Sequence, residues 1–152
     1  MGLRREAREL ALQFLYKYNS LKEVDFPKEV NADLEKFWQS FRPDFSGKGK
    51  EFTEKIVFTV FQNFSEIDPL ISSSLKNWKF DRLSSIDKNI LRIAVAEFLY
   101  FDDIDFNVSI NEAIEIAKKY GAQNSGKFVN GVLDRIKEKI EEEKRRKEEC
   151  LI

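Results

Sequence analysis

Arg4, Arg5 and Arg8 stand within the first eight residues, at spacings of three and four that gather them on one side of a helix. They lie away from the apolar stripe Leu3, Ala7, Leu10 and Phe14. Guanidiniums close to the positive end of a helix dipole are disfavoured, so helix stability did not select this placement. Two readings stay open: a solvated face paired with Glu6 and Glu9, or a patch of planar bidentate donors for phosphates and base edges. Tyr16 continues the line through Arg5, Arg8 and Leu12, which predicts an exposed aromatic and leucine beside the arginines. That pair reads as a snorkelling tyrosine or as an anchor for a protein partner.

A second group of candidates lies in the turn Tyr120-Gly121-Ala122-Gln123-Asn124-Ser125-Gly126-Lys127-Phe128. A helix starting at Asn124 or Ser125 offers free backbone N–H groups to an anion, with Gly126 and Lys127 in its first turn. Gly126 and Gly131 each weaken a helix by about 1 kcal/mol relative to Ala. Compensation is expected from close packing at Gly131, and from either packing or a bound anion at Gly126. Phe128 can stack on an unpaired base or join the core, and Asn124 reads as an N-cap.

Charge is balanced in total, with Lys+Arg 26 against Asp+Glu 27 and a formal net charge of −1. That sum argues against nucleic acid, but the charges are segregated. Glu97, Asp102, Asp103, Asp105, Glu112 and Glu115 occupy a stretch without a base, and Lys118, Lys119 and Lys127 occupy one without an acid. A phosphate backbone responds to the local patch, which reopens the question.

Other chemistries are poorly provided for. The chain has no His, and its single Cys, Cys150, excludes an internal disulfide and any zinc site needing two thiolates. No phosphate-binding loop, dinucleotide motif, nucleophile elbow or metal spacing is present, so no catalytic residue, cofactor or metal is expected. The acids Asp102, Asp103 and Asp105 read as turn chemistry, and Asp134 stands too alone to act as a catalyst. No signal-type segment follows Met1, and the apolar run Ile90–Phe101 falls short of a membrane span and carries Arg92 and Glu97. A cytoplasmic, reducing setting without membrane contact is the expectation.

These residues must be positioned by helices. The 152 residues fit one domain spanning 1–152, with only three Pro and six Gly to interrupt helical periodicity. The pattern predicts seven helices and no sheet. The first four run over Leu3–Asn19, Asn31–Phe41, Lys50–Ile67 after a loop at Phe45–Gly49, and from Asp68-Pro69 to Trp78. A fifth, capped by Ser84 or Ser85, is apolar on most sides and so central. The sixth opens on a Ser109-x-x-Glu112 capping box and closes on a left-handed Gly121. The seventh carries Val129, Val132, Leu133, Ile136 and Ile140 inward, and residues 141–152 form a charged, fraying tail.

Four segments together resemble the NusB family of transcription antitermination factors. They are Arg4-Arg5-x-Ala7-Arg8-Glu9-x-Ala11-x-Gln13-x-Leu15-Tyr16, Ser85-Ile86-Asp87-Lys88-Asn89-Ile90-Leu91-Arg92-Ile93-Ala94, Val108–Lys118 around Asn111-Glu112-Ala113, and Lys127-Phe128-Val129-Asn130-Gly131-Val132-Leu133-Asp134. The resemblance covers essentially the whole chain in order. It implies an all-α fold, two packed three-helix groups joined by a short helix, and a binding function without catalysis. The implied partners are boxA RNA and NusE, a small-subunit ribosomal protein, within an antitermination complex with RNA polymerase in ribosomal RNA operons. Arg4, Arg5, Arg8, Lys118, Asn124, Ser125, Lys127 and Phe128 would then meet RNA, and Tyr16, Asp87 and Lys88 would meet NusE. Many relatives carry Asp where this chain has Asn124; the neutral amide removes a repulsive charge beside phosphate and implies tighter intrinsic RNA binding. A helical protein-interaction scaffold without RNA binding is the alternative, and self-association as a homodimer through the partner face stays open.

Overall fold

Apolar residues at helical spacing bury one continuous core in the computed structural model, which describes residues 2–151. Helices α1 (Leu3–Tyr16), α2 (Lys28–Phe41) and α3 (Gly47–Ser73) make one group, and α4 (Ser85–Tyr100), α5 (Phe106–Tyr120) and α6 (Ser125–Cys150) the other. No strand occurs among the described residues. As its all-round apolar pattern predicts, α4 is central and packs on α1, α3, α5 and α6. Helix α2 attaches through aromatic edges, with the Phe37 ring 5.5 Å from that of Phe14.

The described residues form six α-helices where the periodicity predicts seven. Asp68-Pro69 starts no helix, because α3 runs straight through Pro69. Ile67 and Ile71 are fully buried on either side of it, which holds the backbone helical. Pro69 and Ser65 are exposed, so the Ser65 carbonyl that loses its partner faces water. Asp68 instead accepts from Arg92 of α4 at 2.8 and 2.9 Å. The two groups are joined by residues 74–84, whose only helical part is one 3₁₀ turn at Phe80–Arg82.

Local signals at three other ends are overridden. Helix α3 takes up the second half of the expected Phe45–Gly49 loop, and Phe45 is buried. Helix α5 starts at Phe106 with the Asp105 carboxylate accepting from the Asn107 N–H, while Ser109 turns inward. Gly121 is extended rather than left-handed, at φ −90° and ψ −176°. The charged tail is helical to Cys150 and exposed throughout residues 141–151, with Glu142–Arg146 and Glu143–Lys147 paired one turn apart.

Candidate nucleic-acid interface

The three arginines of α1 meet three acids from the base-free stretch. Arg8 Nε and Nη2 donate to the two Glu97 carboxylate oxygens at 2.7 and 2.8 Å, and Ser109 Oγ donates to the same carboxylate at 2.8 Å. Arg8 and Glu97 are 3% and 1% exposed, so this pair belongs to the core. Arg5 forks onto Glu112 through Nε and Nη2, at 2.5 to 3.1 Å. The Glu112 hydrogen bond is the main cause of a raised Arg5 pKa, which keeps that guanidinium charged. Arg4 donates to Asp103 at 3.2 Å with both side chains more than half exposed, and its Cζ lies 4.7 Å above the Phe52 ring. The Arg4 hydrogen bond holds the Asp103 carboxyl below the usual carboxylate range.

This geometry corrects the outward line drawn through Arg5, Arg8, Leu12 and Tyr16. Arg8 and Leu12 are buried, because α4 packs on that side of α1 and α5 side chains such as Glu112 and Tyr120 reach over it, while Tyr16 is 54% exposed. Glu6 and Glu9 do not partner the arginines either. Glu6 accepts from Arg42, and Glu9 accepts from Lys119 at 2.9 Å and from the Tyr120 hydroxyl at 2.8 Å. That contact raises the Lys119 pKa; burial first, then the Glu9 contact, raises that of Tyr120.

The turn between α5 and α6 is built differently. Asn124 occupies the N-cap position of α6, but its side chain makes no cap bond and is exposed. Lys127 is exposed without an ion pair among the described residues, and Lys118 is 63% exposed with only Glu115 beside it at 3.6 Å. Gly126 is buried by α5: a Cβ there would sit 3.3 Å from Lys118 Cγ, so close packing explains this glycine. Gly131 needs no such account, since a Cβ there would meet only Arg135 at an ordinary 3.5 Å.

Asn124, Ser125 and Phe128 line a groove of about 460 Å³ whose other wall is Trp78, Arg82, Leu83, Ser84 and Asp87. Phe128 is half-buried against the core, with part of its ring in the groove. Ser125 is buried, leaving Gln123 and Asn124 as the open polar groups of that wall. The structure therefore sets Asp87, a predicted partner residue, opposite the predicted RNA residues. Asp87 Oδ1 is buried without a hydrogen-bond partner, and the Asp87 N–H donates to the Ser84 Oγ cap at 3.1 Å. Lys88 places its ammonium 4.8 Å above the Phe80 ring. Tyr16 lines a separate groove of about 280 Å³ with Leu12, Gln13, Phe37, Phe41, Ile86 and Tyr120. Ile86 and Asp87 thus face neighbouring grooves.

Sequence reasoning missed two kinds of residue here. Trp78, placed by the sequence at the end of a short helix, instead stands 61% exposed on the groove rim. Glu97 was readable as a lone acid inside an apolar run, where a buried charge requires a partner. Nothing in the sequence identifies Arg8 as that partner.

The fold and site define an all-helical protein with an open, largely apolar groove at a helix start and a compensated arginine face. A family model described as the NusB family matches residues 5–138, and the chain belongs to that family. It is 47% identical over 138 residues to a transcription antitermination protein NusB from Chloroherpeton thalassium, covering 86% of this chain and 59% of that relative's length. The chain is also similar to the structure of NusB from T. maritima, with a TM-score of 0.75, 41% identity and coverage of 88% and 89% of the two chains. A crystal structure of antitermination factors NusB and NusE in complex with dsRNA aligns with a TM-score of 0.72 and 29% identity, over 90% of this chain and 96% of that one.

Proposed function

We propose that this chain is a transcription antitermination factor that binds boxA-type RNA together with NusE, within an antitermination complex with RNA polymerase. The observation that carries this reading is the α5–α6 turn, where Asn124 and Phe128 present an amide and an aromatic face in the groove and Lys127, next in the chain to Phe128, is an exposed cation. Membership in the NusB family supports it, and so does the similarity to a NusB bound to NusE and dsRNA. RNA is read here as a single strand, whose splayed bases can stack on Phe128 while Lys118 and Lys127 meet phosphates. Arg4 and Arg5 extend the cationic surface once their carboxylate partners yield. Arg8 acts by fixing the pitch of α1 against α4 through Glu97. Tyr16 and the Asp87–Lys88 pair form the surface assigned to NusE, and no catalytic step is assigned to any residue.

A scaffold that meets proteins alone is favoured by one observation: each arginine of α1 is already paired within the fold. Fluorescence anisotropy separates the two readings, using a short boxA-like RNA and a scrambled control, with and without NusE, at two salt concentrations. Selective binding that tightens with NusE is expected. Absence of binding in every condition would leave the scaffold.

A further inference from the structure

The pairs along the arginine face differ in depth. Arg8–Glu97 is closed to solvent, Arg5–Glu112 is 31% and 17% exposed, and Arg4–Asp103 is 53% and 61% exposed. The outer two guanidiniums are therefore reachable by an anion from solution, while the inner one is not. Carboxylate and phosphate offer an arginine fork the same pair of acceptor oxygens, so one can replace the other without moving the arginine. The face also runs without a break into the turn described above. Glu112, Glu115 and Lys118 follow at spacings of three along α5, Lys118 pairs with Glu115, and Gly126 packs on the Lys118 stem.

We propose that Asp103 and Glu112 are specificity-determining residues, built-in phosphate mimics that occupy Arg4 and Arg5 until an RNA also held by the α5–α6 turn displaces them. This rests on the RNA-binding reading above. Non-specific affinity for nucleic acid comes from releasing counterions that neutralise free cations. Arginines neutralised by fixed carboxylates release none, and those carboxylates repel phosphates that arrive without other contacts. An RNA already seated at Asn124, Lys127 and Phe128 brings its neighbouring phosphates to the arginines at high local concentration, and the exchange becomes favourable.

The test compares the full-length parent with Asp103→Asn, Glu112→Gln and the double variant, by anisotropy with the boxA-like and scrambled RNAs at two salt concentrations. Circular dichroism checks that each variant is folded; Asp103, exposed and outside any helix, is the variant that folding cannot confound. Scrambled RNA is expected to bind about two- to fivefold more tightly per variant, in line with the worth of an exposed ion pair. The boxA-like RNA is expected to gain less, so selectivity falls. The log–log salt slope is expected to steepen by about 0.7 for each arginine freed. Unchanged affinities in variants of a parent that binds RNA would overturn the mimicry and leave the RNA reading standing. An equal gain for both RNAs would overturn the selectivity role. RNA binding by the variants but not by the parent would support complete masking. No binding by any of the four proteins would remove the RNA reading and the proposal together.

Discussion

The arginine face of α1 and the turn between α5 and α6 both read as cationic, yet the fold treats them in opposite ways. Each arginine of α1 meets a carboxylate from α4, α5 or the loop between them, with exposure rising from Arg8 to Arg4. At the turn, Lys127 and Asn124 keep their side-chain polar groups free among the described residues, where the only acid paired with Lys118 is Glu115, 3.6 Å away on its own helix. The difference comes from where the partners sit in the chain. Glu97, Asp103 and Glu112 lie 89, 99 and 107 residues from the arginines they neutralise, so only tertiary packing creates the compensation. A run of like charge thus offers free cations only where the fold leaves it uncompensated.

The largest effect that separates the two regions is expected at Arg8. Arg8→Ala leaves Glu97 buried and charged with Ser109 as its remaining donor, and a loss of about 3–5 kcal/mol in unfolding free energy is expected by denaturant titration. Replacing both partners by apolar residues of similar volume, Arg8→Met with Glu97→Leu, is expected to recover most of that loss. A cost below about 1 kcal/mol for Arg8→Ala would place the pair with ordinary surface bridges and equate the two regions.

An intermediate effect is expected from Gly121→Ala. A Cβ at Gly121 would lie 2.6 Å from Ser125 Cβ and 2.8 Å from the Ala117 carbonyl, so backbone must move. A cost of about 1–3 kcal/mol is expected by thermal or denaturant unfolding. Gly126→Ala, which asks only the flexible Lys118 stem to shift by a few tenths of an ångström, is expected to stay within about 1 kcal/mol of the parent. Equal costs at both positions would show that the turn is not held by the Gly121 contact.

The smallest effect is expected at the open cation. Lys127→Ala should leave stability within about 0.5 kcal/mol of the parent and flatten the salt dependence of RNA binding by about 0.7 in log–log slope. RNA titrations at several salt concentrations check it. An unchanged slope would mean that Lys127 meets no phosphate, and the turn would lose its claim to be the uncompensated region.

Much of the fold was legible in apolar spacing. The stripes of α4 and α6 bury as their periodicity predicts, that of α1 does so except for the exposed Leu3 at its start, and the all-round apolar character of α4 marks it as the centre. Legibility failed where a local signal met a stronger distant one. Pro69 signals a helix start, but buried Ile67 and Ile71 and the Asp68–Arg92 bond carry α3 through it. Ser109 and Glu112 have the spacing of a capping box, but Glu97 and Arg5 claim their side chains. For the candidate site, residue types were readable and exposure was not: Arg8 and Phe128 are both plausible ligand contacts by type, and only packing makes one a core cation and the other a groove wall.

By itself, the sequence determined the helical class and the apolar faces. These follow from side-chain type and the 3.6-residue period, which act over a few residues. The tertiary structure alone decided which charges are cancelled, which glycines are packed and which turn stays open to a ligand. Those depend on groups brought together across about a hundred residues of chain, where burial sets both the strength of an ion pair and the cost of lacking one.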